Sequence, residues 1–440
     1  MTSVINKVSN DTKQRFVSIG AVLDRTRGVG QGFDTLRIVL SITILCWHSI
    51  VVSYGRAAEL PFWTNPFTGG VVTSLLPVFF ALSGFLVMGS AVRTMSLSVF
   101  LAARGLRILP ALATEVTISA VILGSLVTTL PFGEYFTSLG FSRYFGSLVG
   151  NIQVSLPGVF TTNPLDGLVN SSLWTIAPEL LCYTYIAFVI AAGLLGKPRG
   201  LSVLIVAAAV VSALSDVFGY GLRPVGGAFL PHTLILAFAL GNLLFLWRHA
   251  VPFSRGLFAV CLVAGMALVS HPSWATLATP FLVYVTVYLG LLPLPKIPLL
   301  DRGDYSYGIY LYAMPVQQSV AYAFPQLREW YWNILIALPV TVALAMFSWS
   351  RIEKPALRLR KRLTALSART PHSATVASPA VLAAILTYGL WLSSTQYAIP
   401  LASSHRKWVF AAMLLFAAAA LVSSRLNLQR HRRTGAPARP

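Results

Sequence analysis

The sequence predicts an all-α protein: a polytopic bundle of about twelve membrane-spanning helices, with both termini in the cytoplasm. Three observations lead there: composition, the spacing of apolar runs and the placement of basic residues. Apolar residues make up 56% of the 440 positions and charged residues only 10%, with a mean hydropathy of +0.71. A water-soluble domain carries about a quarter charged residues to cover its surface. This chain has too few, so its outer surface faces an apolar medium.

A helix needs about 20 mostly apolar residues to cross the hydrocarbon core. Such runs lie at 36–54, 70–91, 110–131, 172–195, 200–217, 229–247, 256–271, 275–293, 305–325, 332–350, 376–395 and 407–424. Residues 1–33 hold no apolar stretch, so the first run is expected to act as the insertion signal. Lys and Arg gather on the cytoplasmic side of membrane proteins. With the N-terminus inside, only Arg56, Arg143, Arg223, Arg328, Arg406 and Lys407 of the 33 basic residues fall in outer loops. Topology thus accounts for most of the +20 net charge. Nucleic-acid binding is disfavoured, because the charge is spread over short loops rather than gathered in one basic domain. Cys46, Cys182 and Cys261 all fall in predicted spans, without disulfide or metal-ligand spacing, and read as packing residues.

The informative residues are ionisable groups where lipid should reject them, since a charge at helix centre costs at least ~2.5–3.5 kcal/mol. Arg37 and His48 are eleven residues apart, which returns them to one helix face at a separation of about 16 Å. Imidazole is the side chain best suited to exchange a proton near neutral pH. Asp34, one turn before Arg37, is placed to pair with it. Arg93, Arg104 and Arg107 follow the second run in a stretch read as a loop leading to Pro110, and a pair of guanidinium groups there suits a phosphate-bearing donor or lipid headgroups. Glu179 is the lone carboxylate of the fourth run and a candidate partner for His48.

Six motifs in order over residues 33–360 resemble the membrane acyltransferase family 3. They are Arg37 with His48, Phe79-Phe80-Ala81-Leu82-Ser83-Gly84-Phe85, Arg104-x-x-Arg107-Ile108-Leu109-Pro110, Trp174 with Glu179, Ser306-Tyr307-Gly308-Ile309-Tyr310-Leu311, and Glu353-Lys354-Pro355. The resemblance implies a ten-span enzyme that moves an acyl group, commonly acetyl, from cytoplasmic acyl-CoA to a hydroxyl of a glycan or lipid-linked oligosaccharide. It implies no tightly bound cofactor and no metal, and a place in the bacterial inner membrane. It assigns catalysis to His48 and Arg37 with support from Glu179 and Asp34, donor binding to Arg104, Arg107 and Arg93, and substrate contact to Trp174, Ser83 and Tyr307. The chain departs from the family pattern where Thr35 and Ile38 replace glycines of the first motif. It departs again where Leu311-Tyr312-Ala313-Met314 lacks the histidine many members carry.

The expected division is a cytoplasmic segment over 1–33, a ten-span domain over 34–360, a basic loop with two extra spans over 361–425, and a tail without fixed structure over 426–440. A transporter or flippase for a lipid-linked sugar is the competing expectation, since a basic inner face and a buried His and Glu also fit proton-coupled transport. Against it, no inverted repeat is visible in the sequence.

Overall fold

A computed structural model describes residues 16–26, 28, 30–218, 231–271, 274–300, 302–359 and 379–396. Within them there are helices and two isolated β-bridges but no strands. Eleven long helices follow the predicted spans in order: α1 Phe33–Tyr54, α2 Pro66–Thr94, α3 Leu97–Val127, α4 Ser171–Ala191, α5 Pro198–Val217, α6 Pro231–Leu246, α7 Arg255–Val269, α8 Ala275–Leu291, α9 Ser306–Ala323, α10 Trp330–Leu359 and α11 Pro379–Gln396. Six of these, α1 to α5 and α10, are long and apolar enough to cross a membrane; α6, α7, α8 and α11 are shorter apolar helices. The twelfth expected span and the tail lie outside the described residues.

One expectation is corrected here. Arg104 and Arg107 do not sit in a loop, because α3 begins at Leu97 and carries Pro110 inside it. Arg104 and Arg107 themselves interrupt the apolar run and hid that start from a hydropathy reading. The described part of the N-terminal segment packs onto the bundle. Ser18 caps a short helix, Ile19–Arg25, and Ile19 is fully buried. The amides of Ile19 and Gly20 donate to Val251 and Arg248 in the loop after α6, at 3.0 and 2.7 Å.

Without a hydrophobic drive between helices in lipid, close approach of small residues holds a membrane bundle together. The α2–α6 crossing is built this way: a Cβ on Gly84 would stand 2.1 Å from the Phe238 carbonyl oxygen, and one on Gly241 would stand 2.4 Å from that of Ala81. Gly308 on α9 meets the backbone of Ala345 on α10 in the same manner, at 2.9 Å. The glycines of two family motifs are therefore explained by helix contact.

The interior is polar along α9. Gln317 donates to the Leu45 carbonyl on α1, and Gln318 donates to Leu165 and Leu168 in the segment before α4. Asn163 returns a bond to the Gln318 side chain at 2.8 Å. These bonds seat residues 160–170 against α9 at the end of the bundle opposite Arg37. The expected span α11 lies against α4, with the Tyr388 hydroxyl on the Val149 carbonyl.

Candidate active site

Two levels of the bundle hold the ionisable residues, joined by α1. At the end where α1 begins, Arg37 reaches Asp304 at 3.4 Å and Asp34 at 3.8 Å. Asp34 is 76% exposed, so the expected pairing is present but Asp304 is the closer and better buried partner. Arg107 donates to the same Asp304 Oδ2 at 2.7 Å and to Glu353 at 3.2 Å, and its guanidinium lies 5.4 Å from the Tyr307 ring. Asp304 sits in the loop before α9, where Ser306 also donates to it. Burial pushes the Asp304 carboxyl up, and the Arg107 and Arg37 charges outweigh that, leaving it below the ordinary carboxylate value.

Arg104 is arranged differently from Arg107. Its guanidinium stacks near Phe100 and Tyr183, at 5.9 and 5.7 Å, and its Nε is buried without a hydrogen-bond partner among the described residues. It forms no ion pair among them either. Arg93, at the exposed end of α2, lies beside Gly89 and is not drawn into this cluster. Tyr307 donates its hydroxyl to the Ile108 carbonyl at 3.2 Å, tying α9 to α3 beneath Arg107.

Higher along α1, the His48 Nδ1 lies 3.5 Å from the Ser172 hydroxyl, at the outer limit of hydrogen bonding. The expected partnership with Glu179 is not formed. Glu179 accepts from Tyr183 at 2.6 Å and interacts electrostatically with Arg107, Arg104 and Arg37. The reason is axial. Ser172 stands at the level of His48, and Glu179, seven residues on, lies about 10 Å closer to the arginines.

The turn Ser171–Thr175 that opens α4 is held from several sides. Asn170 caps it by accepting from the Ser172 amide. The Tyr310 hydroxyl donates to the Ser172 carbonyl at 3.1 Å and lies 2.7 Å from the Thr175 hydroxyl. Trp174 is half-buried on this turn, packed against the main core. Ser83 shares a face of α2 with Phe79, four residues earlier, whose ring contacts Tyr310 at 6.3 Å. Thr35, the first departure from the family motif, donates to the Pro295 carbonyl, and Ile38, the second, is buried against Leu300 and Ile309.

Sequence reasoning missed Asp304, Ser172, Asn170 and Glu115 as members of the site, and gave Glu353 no role beyond its motif. Glu115 was findable: it is the lone carboxylate of a predicted span, the same signal that singled out Glu179. Asp304 carries no such signal, lying in a loop beside Asp301 and Arg302.

Fold and site define a helical membrane-type protein whose polar interior links an arginine cluster to a histidine. The chain belongs to the family of acyltransferases whose domain, the acyltransferase domain of family 3, matches residues 31–350. It is similar to the O-acetyl transferase of Shigella phage Sf6, with 26% identity over 338 residues, covering 73% of this chain and 94% of that protein. It is also similar to nodulation protein 10 of Rhizobium leguminosarum bv. viciae, with 28% identity over 385 residues, 79% of this chain and 98% of that one. No solved structure matches.

Proposed function

We propose that this protein is an integral membrane O-acyltransferase that moves an acyl group, acetyl in the first instance, from cytoplasmic acyl-CoA to a hydroxyl of a cell-surface or lipid-linked glycan. The observation that carries the reading is the placement of His48 on α1, about 16 Å beyond the Arg37–Arg107 cluster, a distance that an extended pantetheine arm bridges. The O-acetyl transferase among its relatives supports acetyl as the group and a hydroxyl oxygen as its acceptor. Twelve spans, both termini cytoplasmic and a bacterial inner-membrane location complete the proposal, as do the divisions at 33, 360 and 425.

In this mechanism the donor's phosphates meet Arg104, Arg107 and Arg37 at the cytoplasmic end, with Arg93 at the entrance. The thioester then lies at the level of His48. The acceptor hydroxyl gives its proton to the imidazole while its oxygen attacks the thioester carbonyl. The C–S bond breaks as the ester C–O bond forms, and His48 returns the proton to the departing CoA thiolate. Trp174, Ser83 and Tyr310 border this level, while Tyr307 and Glu179 brace the arginines below. CoA is a substrate here, and the chemistry asks for no tightly bound cofactor.

The test is CoA release by purified protein given acetyl-CoA and a cell-envelope glycan extract. Wild type releases CoA and His48→Ala, normally folded, does not. A His48→Ala variant with wild-type release overturns the mechanism. Gradient-driven sugar uptake into vesicles without CoA release would replace it with transport.

A further inference from the structure

We propose that Glu115 is a positioning residue for His48, acting through Asn170 and the Ser171–Thr175 turn. The inference rests on the role given to His48 above, but the geometry behind it is separate from the arginine cluster. Glu115 is 1% exposed and Asn170 is not exposed at all, in the middle of a bundle where an ionisable side chain is costly. Glu115 Oε1 accepts from the Asn170 amide at 2.9 Å and from the Ser119 hydroxyl at 2.8 Å. The same Asn170 amide donates to the Leu311 carbonyl at 3.0 Å, and its oxygen accepts from the Ser172 amide at 3.2 Å. One buried carboxyl on α3 thus fixes an asparagine that locks α4's first turn to α9. That turn presents the Ser172 hydroxyl to His48 Nδ1.

A second feature points the same way. Immediately after Glu115, α3 widens into a π-helical turn over Ile118–Leu123. Such turns collect at functional sites because they re-aim side chains at a cost the surrounding fold must cover. Here the widened turn carries Ser119, the second donor to Glu115, and Ala120, whose carbonyl accepts from the buried Tyr135 hydroxyl. The remaining carboxyl oxygen, Oε2, is buried without a hydrogen-bond partner among the described residues. A group included only to hold helices together would be better served by an apolar side chain, whereas one that aims Asn170 needs a strong acceptor at this point. Glu115 reaches His48 through Asn170 and the turn, so its effect on turnover is carried by the turn.

The experiment compares Glu115→Gln, Glu115→Leu and Ser172→Ala with the wild-type full-length protein in detergent. Two readouts are taken: kcat and donor KM for CoA release, and the rate of diethyl pyrocarbonate modification of His48 by peptide mass spectrometry. Gln keeps an acceptor oxygen in place and should hold kcat within about threefold, while Leu should lower kcat at least about tenfold with donor KM within about twofold, as a displaced catalytic group does. The His48 modification rate should change at least about threefold in Leu and stay near wild type in Gln, because release of the turn changes access to the imidazole. Where Glu115→Leu does not fold, Ser172→Ala removes the last link alone and should alter His48 modification likewise. Wild-type labelling in the folded Leu variant, or in Ser172→Ala where Leu does not fold, overturns the proposal; so does a Gln variant as impaired as Leu. Altered labelling in a protein whose wild type releases no CoA would overturn the acyl-transfer reading and leave the positioning role standing.

Discussion

Asp304→Asn is the substitution that says most about how the donor enters. In the structure one carboxylate oxygen, Oδ2, takes contacts from two guanidinium groups, at 2.7 Å from Arg107 and 3.4 Å from Arg37. In the proposed mechanism a donor phosphate oxygen would seek the same place, so Asp304 is its internal competitor. The asparagine keeps the shape and the Ser306 contact while removing the charge. Cutting one partner from a buried pair costs about 2–5 kcal/mol. Asp304 is 26% exposed and Arg107 20%, and Glu353 still holds Arg107, which screens and shares the loss. A stability cost of about 1–2 kcal/mol is therefore expected. Donor binding gains what the competitor loses, so donor KM should fall roughly three- to tenfold, since a factor of ten is about 1.4 kcal/mol. The pH dependence has a definite sign. A carboxyl held below its ordinary value stabilises fully at neutral pH, and that contribution disappears as pH falls through its folded value. Asp304→Asn should flatten this acid limb in thermal unfolding. A donor KM that rises instead would refute the reasoning and make Asp304 a holder of the arginines for the donor.

Arg104→Ala should raise donor KM about tenfold or more with a much smaller change in kcat, because among the described residues its guanidinium is the one of this pair with no carboxylate within ion-pair distance. Its loss of ring contacts should cost only about 0.5–1 kcal/mol of stability, and an unchanged donor KM would return it to a lipid-facing role. Gly84→Ala and Gly241→Ala should each destabilise the protein by about 1–3 kcal/mol, as overpacking does, measured by detergent unfolding. The pair should cost clearly less than the sum, because once one Cβ has forced α2 and α6 apart the other has room; strictly additive costs would refute the close crossing.

The sequence read well wherever one residue's position alone carried the signal. Twelve runs were visible because lipid demands apolar length, eleven of them standing as helices among the described residues, and Arg37 and His48 stood out because lipid rejects ionisable groups. What escaped depended on partners far away in the chain. Arg37 could be given Asp34 from local spacing, yet its closer partner is Asp304, 267 residues on. Glu179 was matched with His48 because both are buried, but axial height along α4 sends it to the arginines. Arg107 looked like a free phosphate ligand because Glu353, 246 residues away, cannot be seen beside it in sequence. Thr35 and Ile38 looked like lost glycines, and the fold uses one as a hydrogen-bond donor and the other as a core residue.

The polarity of α9 bears on how the chain is made. This helix is not among the six that are long and apolar enough to cross a membrane, and Gln317 and Gln318 are fully buried in it. The carbonyls that satisfy their amides belong to Leu45, Leu165 and Leu168, all synthesised earlier. Alone in hydrocarbon, each amide group would lack a partner at a cost of several kcal/mol. The ninth helix is therefore expected to insert best where those earlier segments already lie beside it. Truncations or fusions that separate it from the first 170 residues should lower its insertion, read by protease protection in membranes; insertion equal to that in the full chain would show that the two glutamines need no such partners.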